Sequence, residues 1–84
     1  MYSIKFDPLT IEFLEKLDKN IAKRIWNKIM STKENPNHYF ERLAGRNEHK
    51  LRVGDYRVIA DIDNNTELIE VILIGHRKNI YKNI

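Results

Sequence analysis

Apolar positions along this chain follow two different rhythms, with a break between them. Residues 2–6 alternate, with Tyr2, Ile4 and Phe6 apolar and Ser3 and Lys5 polar, so the chain is expected to open on a short strand. Asp7-Pro8 then supplies a helix N-cap followed by the residue favoured at the first helical position. Leu9, Phe13, Leu14 and Leu17 recur at helical spacing, with Glu12, Glu15 and Lys16 on the opposite side. Asp18 caps a second helix whose apolar stripe is Ile21, Ala22, Ile25, Trp26 and Ile29, with Lys19, Lys23 and Lys28 outside. Asn35-Pro36 ends that helix, which completes a helical hairpin. Residues 36–47 read as a connection holding one short turn around 39–43. From residue 48 the pattern alternates, and strands are expected over 48–53, 56–62 and 67–74 as a meander. Gly54-Asp55 is a two-residue hairpin loop of the Gly-X kind, and residues 63–66 make a second turn. The expected fold is α+β: an N-terminal strand and a helical hairpin packed on one face of a small antiparallel sheet, as a single domain over residues 1–84.

Composition narrows the class. With 84 residues, 42% of them apolar and only three glycines and two prolines, the chain is expected to fold around one thin core. It has no cysteine, so neither a disulfide framework nor a thiolate metal site is available, which fits a reducing cytoplasm. The N-terminus lacks the long apolar run of a signal peptide or membrane span, so no membrane role is expected. His38, His49 and His76 are too widely spread for a metal site, and no metal or other cofactor is expected. A net charge of +3 leans toward polyanionic partners, and the distribution of that charge decides how far.

The tight Gly54-Asp55 loop sets Val53 opposite Tyr56, Arg52 opposite Arg57 and Leu51 opposite Val58. One sheet face then carries His49, Leu51, Val53, Tyr56, Val58, Ala60 and Ile62, fit to meet the helices; the other carries Lys50, Arg52 and Arg57. Like charges directly opposite destabilise a sheet, so the Arg52/Arg57 pair either exists to hold phosphate or is a solvated face whose side chains splay apart. Carrying the register through the second turn sets Ile62 against Glu67 and Arg57 against Ile72. Ile74 and His76 are then expected on the arginines' face, with Arg77, Lys78 and Tyr81 following. Such a surface joins phosphate-binding cations to an imidazole and an aromatic ring, the mixture that recognises RNA.

The runs Lys50-Leu51-Arg52-Val53-Gly54-Asp55-Tyr56-Arg57-Val58-Ile59 and Ile74-Gly75-His76-Arg77-Lys78-Asn79-Ile80-Tyr81 resemble the RelE/ParE toxin superfamily, archaeal RelE toxins above all. The similarity spans essentially the whole chain. It implies helices against one face of an antiparallel sheet, a RelB-type antitoxin that wraps the toxin, and cleavage of mRNA in the ribosomal A site. It also places the family's strand lysine on Lys50, its transition-state arginine on Arg57, the arginine after the glycine on Arg77 and the C-terminal tyrosine on Tyr81. Some relatives carry a second strand lysine two positions before Lys50, where this chain has Glu48.

Metal-free RNA cleavage needs a base for the 2′-hydroxyl proton, cations for the charged phosphorane and an acid for the leaving 5′-oxygen. Arginine holds its proton too firmly to be the base. Lys50, crowded by Arg52 and Arg57, is one candidate, and Glu48 and His76 are rival acid/base candidates. Arg57 and Arg77 read as phosphate clamps, Arg52 and Lys78 as further RNA contacts. Tyr81 either stacks on a base, orients the 2′-hydroxyl, or packs the chain end onto the sheet. Trp26 belongs to a helical apolar stripe and reads as core or antitoxin-facing. The expected function is a toxin that cuts mRNA on the ribosome and stops translation. The alternatives are a ParE-like inhibitor of DNA gyrase that cuts nothing, and a degenerate toxin kept as a nucleic-acid-binding regulator.

Overall fold

Both helices start where the sequence caps them. The Asp7 carboxylate accepts from the Leu9 N–H at 2.9 Å and opens α1, Pro8–Lys16; the Asp18 carboxylate accepts from the Asn20 and Ile21 N–H groups and opens α2, Lys19–Ser31. The computed structural model describes residues 1–83. Before the helices runs β1, Ser3–Phe6. After them come a single helical turn, α3, Pro36–Tyr39, and a two-residue strand, β2, Glu41–Arg42, both inside the stretch expected to be a connection with one turn. The meander follows as β3, His49–Val53, β4, Tyr56–Asp63, and β5, Leu68–His76. A 3₁₀ turn over Ile80–Asn83 closes the chain.

The five strands form one sheet in the order β1-β5-β4-β3-β2. Neighbours are antiparallel except β1 and β5, which run parallel, so the sheet is mixed where an antiparallel one was expected. The reason is topological: a helical hairpin, not a tight turn, follows β1, and such a crossover permits parallel pairing with a strand far along the chain.

The β3–β4 register is the expected one, with Arg52 opposite Arg57 and Val53 opposite Tyr56. Gly54 has φ +59 and is the only residue of the tight turn in the left-handed region, which fits the Gly-X form. The β4–β5 register departs from expectation: Ile62 faces Ile69 and Arg57 faces Gly75. Two local features cause the shift. The Asp63 carboxylate accepts from the Asn65 and Thr66 N–H groups, and with Glu67 at φ +54 the turn occupies residues 64–67. A bulge then falls between Ile59 and Ala60, which leaves Ile72 as an extra residue on β5. Ile74 therefore sits opposite Val58, and His76 opposite Tyr56, on the helix-covered face and away from the arginines.

That covered face is the main core. Leu14, Ile25 and Ile29 from the helices pack with Leu51, Val58, Ile69 and Val71, all buried. Burying each such side chain stabilises the fold by about 1.5–3 kcal/mol. At its margin Trp26 stacks on Phe6 with ring centroids 4.9 Å apart. The opposite face has its own smaller apolar contact. Gly75 lies opposite Arg57, and a Cβ there would come within 2.8 Å of Ile80 Cδ1, so the closing turn lays the buried Ile80 across the arginines' side of the sheet.

Candidate functional site

Three of the expected site residues share one cleft. Lys50 and Arg52 on β3 and Arg57 on β4 line a hollow of about 160 Å³ on the face away from α1 and α2, together with Tyr39 and Glu41. Glu41 pairs with Lys50 across the β2–β3 register, and its carboxylate lies 3.8 Å from the Lys50 ammonium. An anionic acceptor and a cationic donor thus stand together beside two guanidinium groups. Tyr39 and Glu41 were missed at the level of sequence, because a one-turn helix and a two-residue strand are too short to show a periodicity.

Arg57 is anchored on the backbone, whereas Arg52 stands in solvent. Arg57 is 7% exposed, and its Nη1 donates to the Gly54 and Tyr56 carbonyls at 2.9 and 2.8 Å. That leaves its Nε and Nη2 hydrogens for a ligand. Arg52 is exposed and, among the described residues, enters no ion pair. Arg77 reaches the same hairpin turn from the chain end: its N–H donates to the Asp55 carbonyl at 2.8 Å, and its Nε lies 3.4 Å from the Asp55 carboxylate. The end of the chain therefore docks on the turn that holds Arg57, whereas the sequence led us to expect Arg77 and Tyr81 along the cleft itself, which neither of them lines. Lys78 and Tyr81 follow on that docked segment, both exposed.

Two expected site residues stand elsewhere. His76 lies on the helix-covered face beside Tyr56, ring centroids 5.4 Å apart, and its Nδ1 accepts from the Lys78 N–H, so it braces the turn into the closing segment. Glu48 precedes β3, and hydrogen bonds from the Arg46 guanidinium at 3.0 and 3.3 Å hold its carboxyl below the ordinary value. That pairing makes Glu48 a weaker base and keeps it out of the cleft.

Comparison with known proteins bears on this geometry. Residues 4–81 match the family model described as ParE toxin of type II toxin-antitoxin system, parDE. The chain belongs to that family of toxins, within the RelE/ParE superfamily. Its fold is that of solved RelE proteins. The toxin-antitoxin complex RelBE2 of Mycobacterium tuberculosis superposes with a TM-score of 0.81 at 20% identity, over 90% of this chain and 98% of that one. The archaeal RelE-RelB complex of Pyrococcus horikoshii OT3 gives 0.75 at 20% identity, over 90% and 94%. The RelB-RelE complex of Methanococcus jannaschii gives 0.71 at 24% identity, over 95% and 98%. No curated protein sequence matches. Among the described residues no helix is long and apolar enough to cross a membrane.

Proposed function

We propose that this toxin, acting as one domain over its 84 residues, is a metal-independent endonuclease that cuts mRNA in the ribosomal A site and so stops translation in the cytoplasm. One observation carries the reading: Glu41, Lys50, Arg52 and Arg57 meet in a single cleft on the open sheet face. The carboxylate of Glu41 accepts the 2′-hydroxyl proton as the 2′-oxygen forms its bond to phosphorus. The P–O5′ bond then breaks, and the Lys50 ammonium gives a proton to the leaving 5′-oxygen. The free N–H groups of Arg57 and the Arg77 guanidinium stabilise the charge on the phosphorane, Arg52 and Lys78 hold the flanking backbone, and Tyr81 stacks on a base. The cleft, about 160 Å³, is too small to enclose a nucleotide, so the ribosome supplies the orientation of the message. The three solved neighbours named above are complexes of a RelE toxin with its RelB antitoxin, which supports a RelB-type antitoxin as the partner that silences this chain.

The matching family model is that of ParE toxins, which favours a second reading: inhibition of DNA gyrase without RNA cleavage. A single comparison separates the two. Added to ribosomes translating a defined message, the chain is expected to cut within A-site codons, and Arg77→Ala is expected to abolish cutting while far-UV circular dichroism stays unchanged. Intact message alongside loss of gyrase supercoiling activity would establish the second reading instead.

A further inference from the structure

A larger cleft, of about 670 Å³, lies around the edge of the sheet from the one just described. It runs between α2 and the β3–β4 turn, and its walls include Lys23, Arg24, Asn27, Lys28, Arg52 and Gly54. Four of these are cations, and among the described residues no carboxylate lines it. Residues 23, 24, 27 and 28 share one helical face, and Arg24 and Lys28 stand four positions apart, a like-charge spacing that weakens a helix by a few tenths of a kcal/mol. Among the described residues Lys23, Arg24 and Lys28 enter no ion pair. Arg24 reaches the β3–β4 turn. Its guanidinium lies over Gly54, with Nη1 3.2 Å from where a Cβ would stand. The cleft also joins the first one. Arg52 lines both, and the Lys28 ammonium sits 5.2 Å from the ring centroid of Tyr39, itself a wall of the sheet-face cleft.

We infer that this α2 cleft is a second RNA site, which grips the sugar-phosphate backbone of ribosomal RNA while message lies in the sheet-face cleft; the inference rests on the ribosome-dependent reading above. The chemistry favours RNA over an acidic peptide. Backbone recognition needs only cations and neutral donors, which Lys23, Arg24, Lys28, Arg52 and Asn27 supply. A peptide would need an apolar anchor pocket, and the only apolar side chain lining the cleft, among the described residues, is that of Val53.

The test is equilibrium binding to purified ribosomes loaded with a message whose A-site codon carries 2′-deoxy residues, at several salt concentrations. Lys23→Gln/Lys28→Gln is expected to weaken binding about tenfold and to flatten the slope of log affinity against log salt by about 1.4, the loss of two phosphate contacts. Lys16→Gln/Lys33→Gln removes the same charge elsewhere and is expected to change affinity less than about twofold. Thermal unfolding of both variants controls for folding. Equal affinities for the two variants would overturn the inference. So would a cleft variant that binds ribosomes normally but loses affinity for its antitoxin, since the cleft would then be a protein surface. Each chain is also titrated with a short RNA duplex. Cleft-dependent duplex binding by a chain that neither binds ribosomes nor cuts message would sink the ribosome reading and leave the cleft as an RNA site; no cleft dependence on either RNA sinks the cleft.

Discussion

Arg57 serves fold and site at once, and the two demands can be separated by a change that keeps its charge. Its buried guanidinium ties down the Gly54 and Tyr56 carbonyls and still presents hydrogens toward the cleft. A lysine in its place brings one compact ammonium that cannot satisfy both carbonyls and also fork onto a phosphate. Arg57→Lys is therefore expected to lower stability by about 1–2 kcal/mol in urea unfolding. It is expected to slow message cutting by about a hundredfold, near the loss seen when one transition-state donor is removed. Cutting at the normal rate would show that a point charge suffices there. Asp63 is a residue with a purely structural job. Hydrogen bonds from the Thr66 and Asn65 N–H groups hold its carboxyl below its ordinary value of 3.8. A lowered folded-state value means that the contribution is complete above pH 3.8 and disappears as pH falls through the lower folded value. Asp63→Asn is expected to flatten the acid limb of the stability curve in that range. An unchanged acid limb would mean that the turn is held by something else.

At the scale of elements, legibility depended on whether a feature was local. Both helix starts could be read because Asp7 and Asp18 act within three residues, and the β3–β4 register because a two-residue turn leaves no freedom. The β4–β5 register could not be read. An Asx turn and a single bulged residue, Ile72, each move the pairing, and neither leaves a mark on the alternation. That error put His76 on the wrong face, and Arg77 along the cleft rather than on the β3–β4 turn. The closing 3₁₀ turn carries Tyr81 and is tied to the sheet through one buried side chain. Its anchor is Ile80, 1% exposed over Gly75, between Arg77 and Tyr81 in sequence. Ile80→Ala removes that anchor. The expected result is faster hydrogen exchange confined to residues 77–82 and a loss of cutting, with the unfolding midpoint falling by less than the 2–5 kcal/mol of an enclosed core site implies. A uniform rise in exchange throughout the sheet would instead make Ile80 part of the global core.

For the whole molecule, the parallel pairing of the first strand with the last decides how the fold comes apart. Ile4 and Phe6 of β1 face Ile69 and Val71 of β5, and the ammonium of Met1 lies 3.9 Å from the Glu67 carboxylate, so the start of the chain closes against the start of the last strand. The lone tryptophan reports on this closure directly, because Trp26 belongs to α2 while its stacking partner Phe6 belongs to β1. If the hairpin, β1 and the meander share one core, none can leave without exposing the others, and unfolding is all-or-none. Tryptophan fluorescence and far-UV circular dichroism are then expected to give the same urea midpoint, and removal of residues 1–6 is expected to leave the chain unfolded. A fluorescence transition at lower urea than the dichroism transition would show β1 and α2 parting while the meander persists. The meander, with both candidate clefts built on its β3 edge, would in that case be the unit whose stability limits function.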